Sequence, residues 1–275
     1  MEKQRQSNFE LLRIVAMLFI VTHHLIIKGA DTCGYVTPYA YSNDGWLGLF
    51  INGLVVGGVN LFVLISGYFG IRHIVKPLLK LFIDLTVYGL IAYLVGVIFF
   101  GIDFSLGGLI HGIDIHNWFV VHFALLVLSA PILEASLQGR SSECLIKWII
   151  LLLIINVFFG YILGYVNTNG YNYLNFIMLY FIARYIRLIK DENTSLYVHF
   201  KKFGVCYWII SAVILTLGMV VLWKVGHVPN SVKYFGYNNP IILFSSFSLF
   251  LLFASLRIQS KYINLLATGM FGVFL

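Results

Sequence analysis

The chain has 275 residues, 60% of them hydrophobic and 11% charged, and its 18 Lys and Arg against 11 Asp and Glu give a formal charge of +7. Soluble domains carry about 45–50% apolar and about 25% charged residues. The composition therefore excludes a soluble enzyme, a disulfide-stapled secreted domain, a collagen and a disordered tail. What remains is an integral membrane protein: an all-α, polytopic transmembrane helix bundle, read as one domain over 1–275.

A bilayer core ~30 Å thick takes ~20 apolar residues in a helix. Eight complete spans are predicted: Phe9–Ile27, Leu47–Phe69, Leu78–Phe100, Trp118–Leu133, Leu145–Leu163, Tyr173–Ile189, Phe203–Trp223 and Ile241–Leu256. Tyr262–Leu275 is too short to cross and reads as a partial ninth, either re-entrant or, as favoured, the cut end of a longer protein. Glu10 and Arg13 interrupt the first apolar run and no small-x-small cleavage site follows it, so it reads as a retained helix and not a signal peptide.

A cytoplasmic N-terminus leaves fifteen Lys and Arg inside and only Lys28, Lys224 and Lys233 outside, which is the positive-inside bias. Trp46, Trp118, Trp148, Trp208 and Trp223 are all expected at span ends. Cys33 is placed outside, Cys144 and Cys206 on or near the inner side, so no internal disulfide is expected. The segments 167–173 and 229–240 read as outer turns and acceptor surfaces.

Arg13 and His24 stand eleven positions apart in the first span. At 100° per residue that is three turns plus ~20°, so both project from one face, separated by ~16 Å along the axis. His23 points ~100° away from His24. Ionisable residues inside a span are costly and mark functional sites, and a neutral imidazole can take a proton near physiological pH. The bland alternative has Arg13 snorkelling to the inner surface and His24 capping the outer end. In Gly57-Gly58-Val59-Asn60 through Ser66-Gly67-Tyr68-Phe69, small residues with Asn60 and Ser66 suit close helix contact on physics alone.

These elements together, Arg-x10-His in the first helix and then a Gly-Val-Asp-Leu-Phe-Phe-x-x-Ser-Gly-Tyr-like second helix, resemble the acyltransferase family 3 membrane proteins. This sequence supplies Asn8-Phe9-Glu10-Leu11-Leu12-Arg13, then His24, then Gly58 to Phe69, with echoes in Asn117-Trp118-Phe119 and in Tyr180 and Arg184. The resemblance runs from about Asn8 to the end and implies a bundle of about ten helices. It also implies transfer of an acyl group, usually acetyl, from cytoplasmic acyl-CoA to a hydroxyl of a surface glycan. His24 matches the family's essential histidine and Arg13 its arginine. Asn60 stands where many members have Asp, and Arg72-His73-Ile74-Val75-Lys76-Pro77 replaces their Arg-x-x-Arg.

CoA phosphates are expected at a basic mouth of Arg13, Arg72, Lys76, Lys80, Arg184 and Arg187, with plain positive-inside bias as the alternative for each residue. The acceptor is expected to meet Asn60, Ser66, Tyr68, Trp118 and His122. His24 acts either as general base or as acyl carrier, and Asp84, Asp103, Asp114 and Glu134 are the options for a carboxylate that orients it. His111, Asp114 and His116 invite a metal reading, outweighed by a water-facing loop without a fourth ligand.

Walker, dinucleotide, G-x-S-x-G and H-E-x-x-H motifs are absent, and topology accounts for the basic residues without nucleic acid. The expected partners are membrane lipid, acyl-CoA and a carbohydrate acceptor, in a bacterial plasma membrane, with no metal. A transporter or glycan exporter, with Arg13 and His24 lining the path, is the alternative, although no inverted repeat of the motif appears. A non-catalytic assembly or sensor subunit is the third.

Overall fold

The computed structural model describes residues 6–29, 45–71, 73–111, 117–166, 169–226 and 231–269. Among them there is no strand, and the elements are helices throughout. They are α1 (Ser7–His24), α2 (Trp46–Val55), α3 (Gly58–Phe69), α4 (Val75–Phe100), α5 (Leu106–His111) and α6 (Trp118–Leu137). Then follow α7 (Ser142–Leu153), α8 (Tyr173–Asp191), α9 (Ser195–Lys224), α10 (Ser231–Tyr234), α11 (Pro240–Ser255) and α12 (Lys261–Gly269). α1 ends in a π turn at Leu25–Gly29, and α7 continues as a π-helix over Ile154–Ile162.

Starts follow local chemistry. Asn117, Ser141, Asn172, Thr194 and Asn239 each accept a backbone N–H two or three residues on, from Phe119, Cys144, Asn175, Tyr197 and Ile241, which satisfies donors that a first turn otherwise leaves bare.

The distribution of polarity is that of a protein in lipid. Ile98, Phe99 and Phe100 are exposed, as are Ile132, Ile150 and Leu217, while Asn52, Asn60, Asn156, Asn175, Asn238 and Ser248 are fully buried. Without water outside, small and polar residues make the helix contacts. α3 forms the centre, packed on α8 and α1, and α9 packs on α11 and α2. Gly67 permits the α3–α8 contact: a Cβ there would stand 2.9 Å from the Cα of Tyr180.

Among the described residues, six helical segments are long and apolar enough to cross a membrane: Ser7–Ile27, Trp46–Phe69, Val75–Phe100, Trp118–Leu137, Ser142–Ile162 and Ser195–Lys224. The expected spans at 173–189 and 241–256 form helices but fall outside this set. α8 carries Arg184, Arg187 and Lys190 in its second half, and α11 has only 16 residues, ~24 Å of helix against a ~30 Å core.

The second span, Trp46–Phe69, crosses as one segment but is divided into α2 and α3 by two turn residues, Val56 and Gly57. Two further expectations change. α9 begins eight residues before Phe203, so Trp208 lies inside it and not at an end; its Nε1–H donates to the carbonyl of Leu54 at 2.9 Å. The segment expected as an outer turn before α11 is buried over 235–239. Asn238 donates to the Asn156 carbonyl at 2.9 Å, and Asn239 donates to the Tyr161 hydroxyl and the Tyr234 carbonyl at 2.9 and 2.7 Å. Irregular backbone survives in a bundle because protein groups satisfy it.

Candidate active site

On α1 the buried stripe runs through Phe9, Leu12, Ala16, Ile20 and His23, with Arg13 half-buried and His24 exposed beside it. The two histidine rings meet edge to face at 83°, with centroids 5.6 Å apart. His23, only 4% exposed, has Nδ1 2.6 Å from Asn52 Oδ1 on α2. His24 has Nδ1 2.8 Å from the Ile20 carbonyl. A carbonyl can only accept, so that nitrogen carries a proton, and in the neutral imidazole the lone pair is then on Nε2.

Arg13 holds an ion pair with Glu10 at 2.6 Å. Both line a cavity of about 360 Å³ shared with Ser66, Lys80, Asp84 and Phe119. Ala267 and Thr268 of α12 also border it. The structure thus gathers Arg13, Ser66 and Lys80 and adds two acids, Glu10 and Asp84. His24 is not in this cavity. The segment that follows α1, at 30–44, lies outside the described residues.

The expected basic mouth divides between two places. Arg184 and Arg187 border a cavity of about 440 Å³ with Glu134 and Arg140. His73, Lys76 and Lys80 border a groove of about 950 Å³. A smaller cavity touches the first through Glu134, Gln138 and Arg184 and the groove through Pro131. Lys80 in turn joins the groove to the Arg13 cavity. The result is a series of hollows from Arg140 to Arg13 whose walls carry mostly positive charge. Arg72 lies outside the described residues.

The expected acceptor contacts fall into two groups. Trp118 stacks on Tyr237 with centroids 5.7 Å apart and meets Tyr171 at 4.9 Å. Burial pushes the Tyr171 phenol up to about 12, so it stays protonated. Asn60 donates to the Tyr237 carbonyl at 3.0 Å, while its Oδ1 has no partner among the described residues. His122 packs edge-on to Phe176, with Nδ1 buried and without a partner among the described residues. Tyr68 lies apart, buried against Phe9 and Phe250. Ser66 Oγ donates to the Phe62 carbonyl at 3.2 Å.

Of the acids considered as partners of His24, Glu134 is engaged with Arg184 and Asp84 sits in the Arg13 cavity. Asp114 and His116 lie outside the described residues, as does the side chain of His111. Sequence reasoning missed the Glu10–Arg13 pair, although the i,i+3 spacing signals it. It also missed Asn52, Tyr171, Tyr237 and the Glu134–Arg184 pair, which depend on contacts between distant segments.

Residues 6–275 match the family model described as the acyltransferase domain of acyltransferase family 3. The chain belongs to this family. It is a membrane acyltransferase, and nothing in the family assignment supports the transporter alternative. Searches of curated proteins and of solved structures return no match.

Proposed function

We propose that this acyltransferase moves an acetyl, or another short acyl group, from cytoplasmic acyl-CoA to a hydroxyl of a glycan that is extracytoplasmic or lipid-linked. The N-terminus is taken as cytoplasmic and the membrane as a bacterial plasma membrane. The observation that carries the reading is His24: its Nδ1 lies 2.8 Å from the Ile20 carbonyl on an exposed ring, which leaves Nε2 as the nitrogen available to a substrate. Arg13, on the same helix, heads the series of basic hollows.

The donor's phosphates lie against Arg72, Lys76, Lys80, Arg184 and Arg187, and the thioester arm passes Arg13. Nε2 of His24 takes the proton of the acceptor hydroxyl as its oxygen attacks the thioester carbonyl. The C–S bond breaks, and the imidazolium returns the proton to the CoA thiolate. An acyl-carrier role uses the same lone pair. Trp118 and His122 face the acceptor, and Asn60 supports them by holding the backbone at Tyr237.

The test is transfer in sealed membrane vesicles of known orientation. Labelled acetyl-CoA supplied at the face bearing Arg184 is expected to label glycan, and the same donor at the opposite face is not. Equal labelling from either face, or label confined to protein or water, contradicts the reading.

A further inference from the structure

The 440 Å³ cavity at the ends of α3, α6 and α8 contains an acid in a wall of three arginines. Glu134 uses its two oxygens on different donors. Oε2 lies 3.3 Å from Nη2 of Arg184, and Oε1 accepts from the Tyr180 hydroxyl. A phosphate would engage these groups in the same way, because guanidinium recognises carboxylate and phosphate with one geometry.

The turn between α3 and α4 is built around this carboxylate. Gly70 has φ +74°, and a Cβ there would stand 2.8 Å from Glu134 Oε1 and 3.3 Å from Arg184 Nη1. The next residue, Ile71, donates its N–H to the Tyr180 hydroxyl at 3.1 Å. One hydroxyl therefore links the acid to the turn that leads to His73 and Lys76.

We propose that Glu134 is a resident counter-ion: without donor, its carboxylate occupies on Arg184 and Tyr180 the place that a phosphate of the acyl donor takes. This rests on the donor reading given above. Neither carboxylate nor guanidinium is fully buried, with 30% and 22% of the side chains exposed, so the exchange is cheap. Arg187 and Arg140 keep the cavity positive while Glu134 is in place. Glu134 thereby lowers donor affinity, and Tyr180 passes from carboxylate to phosphate without releasing Ile71.

The test is equilibrium binding to the full chain in nanodiscs, with coenzyme A and inorganic pyrophosphate as probes. Glu134→Gln is expected to tighten both by roughly fivefold, Arg184→Gln to weaken both, and the double variant to lose the gain. Glu134→Asp, which keeps the charge on a shorter arm, is expected to fall between wild type and Glu134→Gln and guards against a folding defect in the latter. Unchanged or weaker binding of both probes in Glu134→Gln and Glu134→Asp overturns the proposal. Pyrophosphate following the expected pattern while coenzyme A binds no variant upholds the counter-ion and overturns the donor reading. Coenzyme A binding with no response to Glu134→Gln does the reverse.

Discussion

His23 and Asn52 meet across the contact of α1 with α2, Nδ1 to Oδ1 at 2.6 Å, both side chains buried. This ties the last turn of α1 to α2. Replacing Asn52 with Leu removes the acceptor and leaves a buried imidazole unpaired, a loss of about 1–3 kcal/mol. The expected outcome is a lower thermal midpoint in detergent, with transfer retained by the fraction that stays folded.

Arg13 and Glu10 respond differently to substitution. Arg13→Ala removes the charge that heads the basic hollows, and transfer is expected to fall by at least about 100-fold. Glu10→Gln keeps a hydrogen-bond acceptor beside the guanidinium, and the expected fall is below about tenfold. Initial rates at saturating donor, normalised to folded protein, check both.

The α3–α8 contact makes a prediction on packing. Gly67→Ala puts a methyl 2.9 Å from the Tyr180 and Ala183 atoms facing it, an overpacking that costs about 1–3 kcal/mol. Gly107→Ala meets nothing within 4 Å and is expected to be neutral or to stabilise by about 0.5 kcal/mol. Thermal unfolding followed by circular dichroism separates the two.

Asn60→Leu removes the donor to the Tyr237 carbonyl and is expected to cost about 1–3 kcal/mol. The loss also frees the backbone beneath Trp118, so a shift in tryptophan emission should accompany the lower midpoint. An unchanged midpoint and spectrum would show that this bond holds nothing in place.

Much of the helical architecture was legible because lipid imposes a simple rule, one apolar helix per crossing; the caps at Ser141 and Thr194 were not read, so α7 and α9 begin three and eight residues before the predicted spans. Helix geometry alone set the expectation that Arg13 and His24 share a face; Arg13 lines the cavity with Glu10 and Asp84, and His24 does not. The buried segment 235–239 was not legible. Asn238 and Asn239 look like solvent-facing turn residues until Asn156 and Tyr161, some eighty positions earlier, supply their partners. Trp208 misled for a related reason, since the polar start of α9 at 195–202 continues the helix beyond the apolar run. Glu134 and Arg184 are fifty positions apart on separate helices, and no local pattern joins them.

His24 is proposed as the reacting base or acyl carrier, and His23 as its structural neighbour. The most direct measurement is glycan-bound label from acetyl-CoA in vesicles bearing His24→Ala or His23→Ala, each corrected for folded protein. Label that vanishes with His24→Ala and persists with His23→Ala is the expected result. Label that persists with His24→Ala would contradict the account.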